Sequence, residues 1–227
     1  MGKGTRGYQK VVQALLISNG VGVTFFCLRA FESGSTRYWF LVWNLLLAWI
    51  PLGLAWVLKQ NLQRYRWQSP SNLALTFLWF GFLPNSFYVV SDFIHLKSTG
   101  EVSLLYDVVL FASFTFNAYT AGFISLYLVH RELRKRLPPL NAHGVIAGVL
   151  LACSFAIYLG RSLRWNTWDV LVNPAGLLFD VSDRLINPGA HPQAIVTTGT
   201  FFVLLSSMYI VIWQLVGALK TGKSTTR

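Results

Sequence analysis

The segment Ser91-Asp92-Phe93-Ile94-His95-Leu96 spaces a carboxylate and an imidazole three residues apart. If it is helical, Asp92 and His95 share a face and form an acid/base pair or half of a metal site. Zinc takes three or more protein ligands and no second histidine is near in sequence, so only Asp107 and Asp169 could complete such a centre, and no metal ligand is assigned. A second concentration runs from Tyr158 to Asp169 and contains Arg161, Arg164, Asn166 and Asp169 with Trp165 and Trp168. Paired guanidinium forks beside an amide suit a phosphate or carboxylate, a geometry that lysine does not reproduce. The same tryptophans and arginines also suit a membrane interface. Three further polar groups, Asn44, Asn85 and Asp107, stand within long apolar runs.

Those runs define the elements that must position the polar groups. Of 227 residues, 54% are apolar and only 12% charged, and the mean hydropathy is +0.49, which excludes an ordinary soluble domain, a disordered chain and a collagen-like repeat. A helix needs about 20 mostly apolar residues to cross a hydrocarbon core of roughly 30 Å. Six stretches qualify, at approximately 11–28, 38–58, 72–90, 104–129, 143–160 and 194–219. They are too long for barrel strands of roughly 10 residues, so the expected fold is an all-α polytopic bundle. The first stretch follows Lys3, Arg6 and Lys10 as a secretory signal would, but it lacks a good small-residue cleavage site and is expected to be retained.

Lys and Arg partition unevenly between alternate loops. With the N-terminus inside, 13 fall on the inner side and 6 on the outer, which places both termini in the cytoplasm of a cell with an inner (plasma) membrane. The net charge of +11 is then largely topology and contact with anionic lipid, without a nucleic-acid signature. Seven of the eight acidic residues lie at the outer side, leaving Glu132 inside. One transmembrane domain is expected at 11–219, between cytoplasmic tails at 1–10 and 220–227.

Small residues at helical spacing mark close helix packing. Asn44 aligns with Ala48, Pro51 and Ala55; Asn85 with Ala74 and Gly81; Asp107 with Phe111, Ala118, Gly122 and Ser125. By helical rise, Asn44 and Asn85 lie about 10 Å below the outer end and Asp107 about 5 Å, so three helices offer polar groups to one region of the outer half. In the fifth span Gly144, Gly148, Ala152, Ala156 and Gly160 recur every fourth residue, a ridge open to a neighbouring helix or an oligomer partner. Continued past Gly160, the row would aim Arg164 at the interhelical seam. Pro51 and Pro84 are expected to kink or interrupt their spans, with Asn85 able to serve a freed carbonyl. Between Pro174 and Asn187, Leu177, Leu178, Val181 and Leu185 share one face of a short interfacial helix in the last outer loop. His191 nearby reads as a loop residue, while His130 and His143 belong to the inner side. Cys27 and Cys153 support no disulfide, and no Walker loop, dinucleotide fingerprint or serine elbow occurs.

The words Trp43-Asn44-Leu45, Phe82-Leu83-Pro84-Asn85 with Tyr88 and Asp92 to His95, Tyr106-Asp107, and Tyr158-Leu159-Gly160-Arg161 through Arg164-Trp165-Asn166 to Trp168-Asp169 resemble the DUF1361 proteins, multi-pass bacterial membrane proteins of unknown function. The resemblance covers roughly residues 38 to 172. It implies a membrane location and several helices, and brings no activity, substrate or cofactor.

The residues alone lead to an outward-facing polar pocket lined by Asn44, Asn85, Asp92, His95, Asp107, Arg161, Arg164, Asn166 and Asp169. Its expected ligand is an anionic headgroup or lipid-linked small molecule, with Asp92, His95 and Asp107 available for proton transfer. Two alternatives remain: a small transporter built on Asp107 and proline-broken spans, and a non-catalytic assembly protein using the fifth-span ridge. Membrane lipids are the expected partners, nucleic acid is not, and the cofactor and enzymatic status are left open.

Overall fold

Four helices begin at a proline, where the missing N–H is harmless and the fixed φ suits the first turn. They are α3 (Pro70–Tyr88), α5 (Pro139–Ser162), α7 (Pro174–Ile186) and α8 (Pro192–Thr221); α1 (Lys3–Ser33), α2 (Trp39–Asn61), α4 (Leu104–Arg134) and α6 (Asp169–Val172) complete the set. A computed structural model describes residues 3–98 and 100–221, and among these there is no strand. Six helices, α1 to α5 and α8, are long and apolar enough to cross a bilayer, so the chain is a multi-pass membrane protein. α1 continues the first span back to Lys3, so most of the expected tail at 1–10 is helical; residues 222–227 of the other tail, with Met1 and Gly2, lie outside the described residues.

Successive spans run antiparallel. The α1–α2, α3–α4 and α5–α8 connections gather at one end, the long-loop end, and the α2–α3 and α4–α5 connections at the other, the terminal end. α4 is the axis of the bundle: 56% of its most apolar stretch is buried, against 17% for α1 and 11% for α8, which lie at the periphery. The stripe Asp107, Phe111, Ala118, Gly122 and Ser125 is buried throughout, as its spacing predicts. So are Ala48, Pro51 and Ala55 of α2.

Neither proline interrupts its helix. The carbonyls around Pro51 instead receive hydroxyls from other spans: Ser86 donates to Ala48 O at 3.2 Å and Ser125 donates to Pro51 O at 2.9 Å. The Trp79 indole N–H closes the chain on Ser125 Oγ at 2.7 Å, stitching α2, α3 and α4 together. Asn85 does not serve the carbonyl freed by Pro84; it donates to Phe82 O at 3.1 Å.

The ridge on α5 behaves differently at its two ends. Gly144 and Gly148 are exposed, with no atom near a Cβ position, so no helix of this chain packs there. The row also stops short of Arg164, because α5 ends at Ser162 and Arg164 turns into the left-handed region at φ 62. The interfacial helix expected at 174–187 is α7, begun by Pro174 and capped by Asn173, whose side chain accepts the Gly176 N–H at 3.1 Å. Its expected apolar face is divided: Leu177 and Val181 pack toward Tyr158, Leu159 and Ala194, while Leu178 and Leu185 face outward.

The tightest span contact is at Gly122, where an added Cβ would lie 2.6 Å from Ser86 Cβ and 3.0 Å from the Phe87 ring. Ser86 Cβ is fixed to the α3 backbone and cannot swing aside. Gly122→Ala is therefore expected to destabilise by about 1–3 kcal/mol, read as a lower unfolding temperature in detergent, whereas Gly148→Ala leaves that temperature unchanged.

Candidate functional site

Beyond Tyr88 the α3 helix tightens into a 3₁₀ turn over Val89–His95. Three residues per turn superimpose positions i and i+3, so Asp92 and His95 project from one line of the turn. The turn packs beside the first turns of α2 and the last turn of α5. There Asn44 Nδ2 donates to Asp92 Oδ2 at 2.7 Å, and Arg161 Nη1 stands 4.0 Å from Asp92 Oδ1. Both Arg161 Nη atoms lie 3.3 Å from His95 Nε2, and Nη1 lies 3.5 Å from Tyr88 Oη. A guanidinium has no acceptor, so Nε2 must accept and the imidazole proton sits on Nδ1. Asp92 is buried, 2% exposed, whereas Arg161 is half-buried and reaches open space.

That space is a cavity of about 570 Å³ between α2, α3, α5 and the loop after α5. Asn44, Asn85, Asp92, His95, Arg161 and Asn166 line it, and Gly81, Pro84, Ala152, Ala156 and Gly160 form its small-residue walls. The α5 row thus makes a cavity wall where it was expected to seat a helix. Gly160 lets α5 and the Tyr88 ring approach closely, since a Cβ there would lie 3.1 Å from that ring and would press it aside by a few tenths of an ångström. Aromatic and aliphatic groups, among them Phe40, Trp43, Leu47 and Phe80, complete the lining; Trp43 and Phe80 are also exposed on the outside of the bundle. One compartment therefore combines a guanidinium fork, a buried carboxylate, an imidazole and an apolar floor.

The loop after α5 roofs the cavity and is pinned twice. Asn85 Nδ2 donates to Thr167 Oγ1 at 3.0 Å, and the Trp165 indole donates to Asp180 Oδ2 of α7 at 2.7 Å. Arg184 Nη1 holds the other Asp180 oxygen at 2.8 Å. Asp183 accepts from Asn187 at 2.9 Å and from His191 at 2.7 Å, bonds that keep its carboxyl below the usual carboxylate range and give His191 a role in anchoring the start of α8. Asp169 does not enter the cavity: its carboxylate accepts the Asn166 N–H at 2.6 Å and shapes the turn. Arg164 is exposed in a left-handed turn and does not line the cavity that Arg161 faces.

Asp107 is likewise elsewhere. Arg29 Nε donates to its Oδ1 at 2.9 Å, and the guanidinium lies 4.3 Å from the Tyr38 ring centroid, with Glu101 at 3.7 Å. Arg29 and Asp107 are each 1% exposed, so this is a buried ion pair joining α1 to α4. Sequence reasoning counted Arg29 only as a loop charge. It likewise passed over Tyr88 and Thr167 as site residues, since a partner 82 positions away, as Thr167 is to Asn85, leaves no local pattern. Among the described residues no three His, Cys, Asp or Glu side chains gather closely enough to hold a metal ion.

The sequence model of a family described as a protein of unknown function (DUF1361) matches residues 43–210, most of the chain. The chain belongs to this family. The matched stretch takes in Asn44, Asp92, His95 and Arg161, and leaves out Arg29. No curated protein and no solved structure matches the chain.

Removing one partner of a buried ion pair strands the other charge, at a cost of about 3–5 kcal/mol. Arg29→Ala and Asp107→Ala should each lower the unfolding temperature in detergent sharply, and the double variant should cost much less than their sum. Equal and additive losses would show that the two residues act separately.

Proposed function

We propose that the cavity between α2, α3 and α5 recognises an anionic headgroup or a lipid-linked substrate that reaches it from the bilayer. The observation that carries this reading is the half-buried Arg161 fork facing a cavity whose other walls are largely apolar. Its nearest carboxylate stands 4.0 Å away, a loose pairing that leaves donors for a phosphate or carboxylate. Asn44 holds Asp92 on the opposite oxygen, so the carboxylate stays in place when Arg161 turns to a ligand. Asn85 and Asn166 add amides at the roof, and Asp92 and His95 are the groups within reach for proton transfer. The charge count of the loops supports a cytoplasmic position for both termini, which would open the cavity to the outer leaflet of the plasma membrane. A transport site built on Asp107 and broken spans draws no support, since α2 and α3 are continuous and Asp107 is taken up by Arg29.

Dodecyl phosphate, which joins an anion to one alkyl chain, tests the reading in phosphatidylcholine nanodiscs. The wild-type protein should bind it, with a change in tryptophan fluorescence from Trp43 and Trp165, and should not bind dodecanol. Arg161→Gln should weaken binding by about 10–100-fold, the equivalent of one lost bond to a charged group. Asp92→Asn should tighten binding by removing a neighbouring negative charge, and Arg164→Gln should leave it unchanged. Wild-type affinity in a folded Arg161→Gln protein would end the assignment.

A further inference from the structure

The terminal end of the bundle carries a second cavity, of about 290 Å³, between the last turns of α4 and α8. Arg131, Arg134 and Lys135 line it with Tyr127, Trp213 and Gln214. The charges there are unbalanced. Glu132 is the sole carboxylate on this stretch of α4, and it is spent on Lys135 and Arg136. Among the described residues no carboxylate pairs with Arg131 or Arg134, although both are at the cleft and exposed. The wall behind them is aromatic: Trp213 stacks on the buried His130 ring at 3.9 Å, Tyr127 meets Trp213 at 5.5 Å, and the Arg131 guanidinium lies 6.0 Å from the Tyr127 ring centroid. Two guanidinium forks without a carboxylate partner among the described residues, an amide and two amphipathic rings at the end of spanning helices match the level and chemistry of a phospholipid headgroup. The volume admits the headgroup and leaves the acyl chains in the bilayer.

We propose that this cleft binds the phosphate group of an anionic membrane phospholipid, gripped by Arg131 and Arg134. The site is separate from the cavity at the long-loop end and does not depend on its function. To keep the two apart, the test uses the Arg161→Gln protein in nanodiscs of equal phosphatidylglycerol and phosphatidylcholine, with retained lipid counted by native mass spectrometry. Phosphatidylglycerol should be retained in preference to phosphatidylcholine. Arg131→Gln with Arg134→Gln should reduce that retention roughly ten-fold. Arg64→Gln with Arg66→Gln, the same charge change in the exposed α2–α3 connection, should reduce it less than about two-fold. Gln214→Glu, which places a carboxylate at the cleft without touching either arginine, should also abolish the preference. Equal loss in the two double variants would reduce the effect to diffuse surface attraction and overturn the proposal. So would equal retention of the two lipids, or displacement of the lipid by millimolar inorganic phosphate, which would mark a site for a soluble anion.

Discussion

Helices within a bilayer gain little from burying apolar side chains against one another, because lipid is as apolar as leucine. What holds such a bundle is close backbone approach and the satisfaction of every polar group by a partner inside the protein. The stitching of α2, α3 and α4 follows from that constraint. Ser86 and Ser125 donate to the Ala48 and Pro51 carbonyls of α2, Trp79 bonds to Ser125, and Gly122 lets α4 lie against Ser86. The Ala48 and Pro51 carbonyls of a continuous α2 thus take donors from neighbouring spans.

The polar groups of the long-loop end obey the same rule in two separate places. Arg29 and Asp107 form a buried ion pair that joins α1 to α4, which makes them a structural clamp. Asn44 holds Asp92 closely, but Arg161 makes only longer contacts, to Asp92 and His95, and adjoins a cavity. The contrast between a closed pair and an open cluster is the physical ground for proposing ligand recognition at the second. The 3₁₀ turn is what makes the cluster possible, since it aligns Asp92 with His95 at the height of Arg161.

The amino-acid sequence by itself determined the six spans, the all-α class and a short amphipathic helix in the last outer loop. These are legible because apolar run length, helical period and helix punctuation are local properties of the chain. Of the nine polar residues it grouped, Asn44, Asn85, Asp92, His95, Arg161 and Asn166 line one cavity and Asp107, Arg164 and Asp169 do not. Small residues misled where they were read as packing marks: Gly144 and Gly148 face outward, and Gly81, Ala152 and Ala156 line a cavity. Spacing shows that a face is narrow, and it does not show whether a helix, a lipid or empty space adjoins it.

Only the tertiary structure decided which polar groups meet. Asp107 turned to Arg29, 78 positions away, and Asn85 to Thr167, 82 away, choices made by the mutual rotation and height of packed helices. The end of α5 at Ser162 and the left-handed turn at Arg164 leave Arg161 alone at the cavity, although the two arginines are three residues apart. Periodicity carries no information about such torsions or about distant partners, because both are set by the need to satisfy buried donors and acceptors once the whole bundle has closed.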